Sequence, residues 1–279
     1  MRSPVDRPGL VRTNPAGQPL AGAVQTGRMR IETATEPGTA DVPNEDFVSV
    51  ALPASGTGGT VVLLDGVTPP PDNGACVHSV PWFTARLGGA LLELSAARTD
   101  MTLADCLSAA ISRTAESHQT ICDLSHPLTP QATVVLARWD DAAVDYLVLS
   151  DSVLLAEGAD GRVTAVLDDR IDRLRAAGHR LAPLRNLEGG FFTAAADPAV
   201  AARAVTGRLP RADVRALAAL TDGATRAVDH FGTDDWADTF ALLRKAGPQA
   251  LISRVRALET EQPPHGKQHD DATAVLVEF

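Results

Sequence analysis

The sequence predicts an α+β protein, a four-layer αββα sandwich in which two mainly antiparallel sheets pack together between helices. Three observations lead there. Runs of β-type residues come in two batches separated by a pair of helical segments, and more helices precede one last apolar run. Asp140-Asp141 and Asp160-Gly161 supply short turns of the kind that join antiparallel neighbours. Hydrophobic residues make up 44% of the 279 positions but aromatics only 4%, so a core must be built mainly from Ala, Val and Leu.

The elements follow in order. Residues 1–27 are rich in Pro, Gly, Arg and Thr without periodicity, and are expected to form a flexible tail. Residues 28–279 are expected to form a single domain. Strands are predicted over 29–35, 47–52 and 60–64, with the Gly-rich stretch 54–59 as a hairpin loop. Helices are predicted over 80–98 and 102–122. The second carries Thr102 and Asp105 as a capping box, and Leu103, Leu107, Ala110, Ile111, Thr114 and Ile121 along one stripe. Strands return at 132–139, 144–149, 153–157 and 162–167, followed by a short helix over 168–178. Its Arg173 and Arg175, with Arg180 beyond, read as a solvated face. Residues 179–198 are irregular, a surface loop or a flap hinged at Gly189-Gly190. A strand at 216–220, helices within 224–259, a polar link at 262–268 and a closing strand at 272–278 complete the chain.

Charge narrows the partners. Twenty-five basic against 35 acidic residues leave a net charge of −10, which opposes nucleic acid or an anionic membrane as a partner. No run of about 18 apolar residues is present, and the first residues lack the apolar stretch of a secretory signal. Cys76, Cys106 and Cys122 lack CxxC spacing and are expected to be reduced thiols in a cytoplasmic protein.

Carboxylates at the mouths of apolar strands carry the functional expectation. Leu63-Leu64 runs into Asp65-Gly66, Leu149 into Ser150-Asp151-Ser152, and Leu220 into Thr221-Asp222-Gly223, while Asp270-Asp271 precedes the last strand. A carboxylate beside a buried strand is costly unless it meets water or a cation. Several such groups, with Asn44-Glu45-Asp46, suit a hard divalent cation such as Mg²⁺ or Mn²⁺.

The ordered set NED (44–46), LLDG (63–66), ATVVLA (132–137), LSDS (149–152), LTDG (220–223) and DDAT (270–273) resembles the PPM group. These are the metal-dependent Ser/Thr protein phosphatases of the protein phosphatase 2C superfamily, in particular the bacterial members. The resemblance implies a centre of two Mn²⁺ or Mg²⁺ ions, with Asp65 bridging and Gly66 offering its carbonyl. It implies Asp222 and Asp270 as ligands of the second ion, and Glu45 and Asp46 as holders of bound water. Asp151 matches a position that can join Asp222 around a third, weaker ion. Thr133 and Ser152 match packing or supporting positions. Two ions on the order of 3.5–4 Å apart acidify a water for in-line attack on phosphorus, so no protein nucleophile is needed. The implied substrate is a phosphoprotein or a small phosphorylated compound.

Two departures qualify the function. The Arg usually found three positions before the Asn of the first motif is Asp41 here, an anion in place of a phosphate donor; Arg28 and Arg30 are the neighbouring candidates to replace it. The segment after Asp65-Gly66 is rebuilt with Pro69-Pro70-Pro71, Cys76 and His78. His78 suits a general acid for the leaving group, or borders a pocket with Cys76, or simply lies at a helix start; Cys-x-His alone is a poor zinc signature. The alternatives to a phosphoprotein phosphatase are a weak or inactive binding protein on the same fold, and a hydrolase of a small phosphate.

Overall fold

The structure, a computed structural model, describes residues 29–55, 57–70, 76–263 and 267–279. The expected tail, Arg28 and Pro71 lie outside the described residues. Ten strands appear: β1 (Arg30–Glu36), β2 (Phe47–Ala51), β3 (Gly59–Leu64), β4 (Val134–Trp139), β5 (Ala143–Leu149), β6 (Val153–Gly158), β7 (Val163–Val166), β8 (Val205–Pro210), β9 (Val214–Leu220) and β10 (Ala272–Glu278). They form two five-stranded sheets in the orders β1-β10-β9-β6-β7 and β2-β3-β4-β5-β8, with every pairing antiparallel. The α+β class and the two antiparallel sheets are as the sequence predicts.

Strand alternation builds the layers. Val61 and Leu63 of β3 point at the other sheet, where they meet a core containing Leu154, Leu217, Ala219 and Val275. Val62 and Leu64, one step out of phase, face the helices α1 (Val80–Ala97) and α2 (Leu103–Glu116) through Phe83, Leu87, Leu107 and Ile111. On the opposite side, Leu155, Ala218 and Leu276 pack under α5 (Trp236–Ala246) and α6 (Pro248–Glu261) through Phe240, Leu243 and Leu251. Because both faces of each sheet are covered, its central strands read as continuous apolar runs. Two shorter helices, α3 (Arg170–Ala176) and α4 (Asp222–Asp229), complete the set.

Three differences from the sequence expectation have physical causes. The edge strand β8 was not anticipated: its alternate residues are exposed and it contains Gly207 and Pro210, so no apolar run marks it. The helix expected to reach residue 122 stops at Glu116, where Ser117 Oγ donates to the Thr114 carbonyl at 2.7 Å and a looser turn follows. The helical stretch before the last strand is three helices. Gly247, at φ 84°, ends α5, and Pro248 opens α6.

Candidate metal centre

Antiparallel register brings the strand-end carboxylates to one end of the sandwich. Phe47 pairs with Leu64, so Asp46 before β2 lies beside Asp65 after β3. Leu220 pairs with both Val153 and Ala274, so Asp222 after β9 lies between the Asp151 turn before β6 and Asp270-Asp271 before β10. Thr221 and Thr273 join the two sheets there: both hydroxyls donate to Asp46 Oδ2, at 3.1 and 2.7 Å.

The result is a concentration of negative charge. Burial pushes Asp65 well above the usual carboxylate range, and the charges of Asp222, Asp46, Asp151 and Asp270 add to it. Burial likewise raises Asp46 and Asp222 to about 7, against the pull of Thr273 on Asp46, and with Asp151 and Asp270 adding to the rise at Asp222. Burial raises Asp151 and Glu45 as well. Asp46 Oδ1 is buried without a hydrogen-bond partner among the described residues. Oxygens in this state fit a divalent cation: the donors are hard, and one of them has no other partner. Among the described residues, no three of these carboxylates bring oxygens mutually within 4.8 Å.

Neighbouring groups hold the carboxylates in place. Thr133 Oγ1 accepts the Asp65 N–H at 3.2 Å and shares a 2.6 Å hydrogen bond with Ser152, so both act as supports, as their sequence positions suggest. Gly66 is bridged to Ala132, and a Cβ there would lie 2.5 Å from the Glu45 carbonyl and from Val80. Gly223 is under the same constraint, since a Cβ there would lie 2.0 Å from the Asp271 carbonyl. Asp271 accepts the Gly38 and Glu45 N–H groups, each at 2.7 Å, and ties the first motif to β10. Glu45 accepts from Thr68 at 2.6 Å.

Solved structures share this architecture. The chain superposes on serine/threonine phosphatase Stp1 from Staphylococcus aureus with a TM-score of 0.61 and 14% identity, covering 91% of this chain and 96% of the other. The Mycobacterium tuberculosis serine/threonine phosphatase PstP/Ppp gives 0.60 and 15%, over 90% and 98% of the two chains. The fold is that of the bacterial serine/threonine phosphatases. The catalytic domain of PstP in complex with two manganese ions matches this phosphatase fold with a TM-score of 0.59 and 16% identity, over 90% and 97% of the chains. No protein-family model matches the chain, and no curated protein matches it in sequence.

On that fold, several residues without a sequence assignment take part. Arg226 of α4, four positions after Asp222, reaches Asp270 at 3.3 Å and the fully buried Glu259 at 2.5 Å. Arg256 and His269 also bind Glu259, and the Lys267 ammonium pairs with Asp270. The i, i+4 spacing of Asp222 and Arg226 was a usable signal; the α6 partners were not, since they come from distant sequence. Thr221 and Thr273 stood inside quoted motifs without a role.

Asp41 is exposed. Arg30 is no replacement: it pairs with Glu278 at 2.5 Å, at the end of β1 about 20 Å from the carboxylates (six steps of ~3.3 Å). Arg185 is the better placed cation. It is half-buried, its Nε has no partner among the described residues, and the Asp151 charge acts on it. Its neighbour Asn186 hydrogen-bonds Gln131 and Thr193, so of the two expectations for this segment, loop or flap, the anchored loop with Phe191 and Phe192 buried is the one found. A cavity of about 410 Å³ opens beside Asp151 and Asp222. A larger one of about 580 Å³ lies at the other end of the sheet, around Gly59 and Trp139, and contains none of the carboxylates.

His78 has its contacts with Trp82, Cys76 and Cys122. It stacks on Trp82 with ring centroids 3.8 Å apart, and its Nδ1 lies 3.5 Å from Cys76 Sγ and 3.4 Å from Cys122 Sγ. It has no hydrogen bond to the acidic cluster among the described residues, so a general-acid role gains no support. Burial pushes the Cys76 thiol up to about 11, away from a nucleophilic thiolate. Cys122 lies beyond the end of α2.

Proposed function

We propose that residues 28–279 act as one metal-dependent phosphomonoester hydrolase unit, most economically a Ser/Thr phosphoprotein phosphatase. The observation that supports this best is Asp46 Oδ1, a buried carboxylate oxygen left without a partner among the described residues, beside Asp65 and Asp222. Glu45, Asp46, Asp65, Asp151, Asp222, Asp270 and the Gly66 carbonyl are the proposed holders of two Mn²⁺ or Mg²⁺ ions, with a third at Asp151 and Asp222. When bound, such ions acidify water and offset charge on phosphoryl oxygens.

The chain's own groups then have separate tasks. Asp46, fixed through Oδ2 by Thr221 and Thr273, presents Oδ1 to hold a proton of the attacking water. Asp65, braced by Thr133 and Ser152, stands between the carboxylates of the two sheets. Arg226 and Lys267 keep Asp270 oriented. Arg185 supplies the cation that Asp41 does not, and draws the phosphoryl group toward Asp151's side of the centre. The proposed substrate is a phosphoprotein. The exposed anion at Asp41 favours a second reading, in which a small phosphorylated compound is hydrolysed or a partner is bound without turnover.

Mn²⁺-dependent hydrolysis of p-nitrophenyl phosphate and of a phosphoserine peptide tests this. Activity is expected in the wild type and a loss of at least about 100-fold in Asp65→Asn, the scale of removing a key electrostatic group. Tight Mn²⁺ binding with no turnover of either substrate would overturn the enzymatic reading in favour of a binding protein.

A further inference from the structure

Four donors outside the carboxylate centre meet at one point. One sulfur or ring nitrogen each from Cys76, His78, His118 and Cys122 lie mutually within 4.8 Å, the only such set of three or more Cys, His, Asp or Glu donors among the described residues. Cys76 Sγ lies 3.5 Å from both His78 Nδ1 and His118 Nδ1, and Cys122 Sγ lies 3.4 Å from His78 Nδ1. A tetrahedral zinc ion with Zn–S of ~2.3 Å and Zn–N of ~2.0–2.1 Å separates its S and N ligands by about 3.5 Å. The two sulfurs are 2.7 Å apart, and a tetrahedral zinc with two Zn–S bonds of ~2.3 Å sets them about 3.8 Å apart, so binding moves them about 1 Å further from each other.

We propose that Cys76, His78, His118 and Cys122 form a structural site for a tetrahedral, borderline-soft divalent cation, zinc above all. The ligand set is two thiolates and two imidazoles, unlike the all-oxygen centre at Asp65, so the two sites select different metals. Local structure delivers the ligands in pairs. Cys76 and His78 sit just before Ser79, the cap of α1, and the His78 N–H donates to Cys76 Sγ at 3.4 Å. His118 and Cys122 follow α2, four residues apart in a single turn in which the Cys122 N–H donates to the His118 carbonyl at 3.0 Å. Trp82 closes the site, stacked on His78 and 5.2 Å from the His118 ring, and His118 is only 2% exposed. Four protein ligands leave no open position, the arrangement of a structural site. Binding releases the two thiol protons and changes no oxidation state. The ion would clamp the start of α1 to the end of α2, and anchor the chain that returns from Asp65-Gly66. This inference does not depend on the phosphatase reading.

The test is metal analysis of the full chain purified under reducing conditions, with and without zinc reconstitution. One zinc per chain is expected, retained in Asp65→Asn and lost in Cys122→Ser and His118→Ala. Should those variants fold poorly, cobalt replacement in the wild type gives an independent readout. Intense visible bands of tetrahedral Co²⁺ and thiolate-to-cobalt absorption in the near ultraviolet are expected. No zinc after reconstitution, an octahedral cobalt spectrum, or a Cys76–Cys122 disulfide that persists under reducing conditions would each overturn the proposal.

Discussion

Replacing Asp222 by Asn separates a carboxylate that serves a cation from one that serves the fold. In the metal-free chain, burial together with Asp151 and Asp270 raises Asp222 from 3.8 to about 7. Its charged form therefore costs the folded state about 4 kcal/mol relative to the unfolded chain, at ~1.4 kcal/mol per pH unit. The sign follows from proton binding. Between pH 3.8 and about 7 the folded state holds more protons than the unfolded one, so stability falls across that window and the full cost applies above it. Asn removes the charge and keeps the shape. It also removes a favourable carboxylate at the start of α4, worth about 0.3–1 kcal/mol, a smaller effect. In chelator at pH 8, Asp222→Asn is thus expected to unfold about 10 °C higher than wild type, at roughly 2–4 °C per kcal/mol for a chain of this size. With Mn²⁺ present the order reverses, because the wild type gains binding energy that the variant cannot. Thermal unfolding with chelator and with Mn²⁺, each at pH 5.5 and pH 8, reads all four values. A lower transition for Asp222→Asn in chelator at pH 8 would refute the reasoning, since it would show the carboxylate to be a net structural support without metal.

Two further outcomes test other parts of the centre. Arg185→Ala is expected to lower kcat/KM for p-nitrophenyl phosphate about 10- to 100-fold, the equivalent of one charge-assisted hydrogen bond, while Mn²⁺ affinity measured by calorimetry is unchanged. Gly66→Ala would place a methyl 2.5 Å from the Glu45 carbonyl and Val80, and is expected to cost about 1–3 kcal/mol in urea unfolding even in chelator, which separates packing from metal loss.

Much of this protein is legible before any coordinates. Strand runs such as Val61-Val62-Leu63-Leu64 identify themselves because burial on both faces leaves no polar position. The acidic residues at their ends identify themselves because nothing else in those runs is charged. The edge strand β8 escapes, since half its residues face water and its pattern resembles a loop.

What residue order alone established was which groups are anomalous: carboxylates at the ends of buried strands, a missing Arg at Asp41, and Cys and His in a loop rich in proline. Which of them meet was left to the folding of the sheets and helices. Antiparallel register set Asp46 beside Asp65, and the pairing of β9 with β6 and β10 set Asp222 between Asp151 and Asp270. The end of α2 at Glu116 let His118 and Cys122 turn toward Cys76 and His78. Contacts between residues 19 to 71 positions apart depend on where helices stop and how strands align. Those are properties of packing that no local pattern encodes.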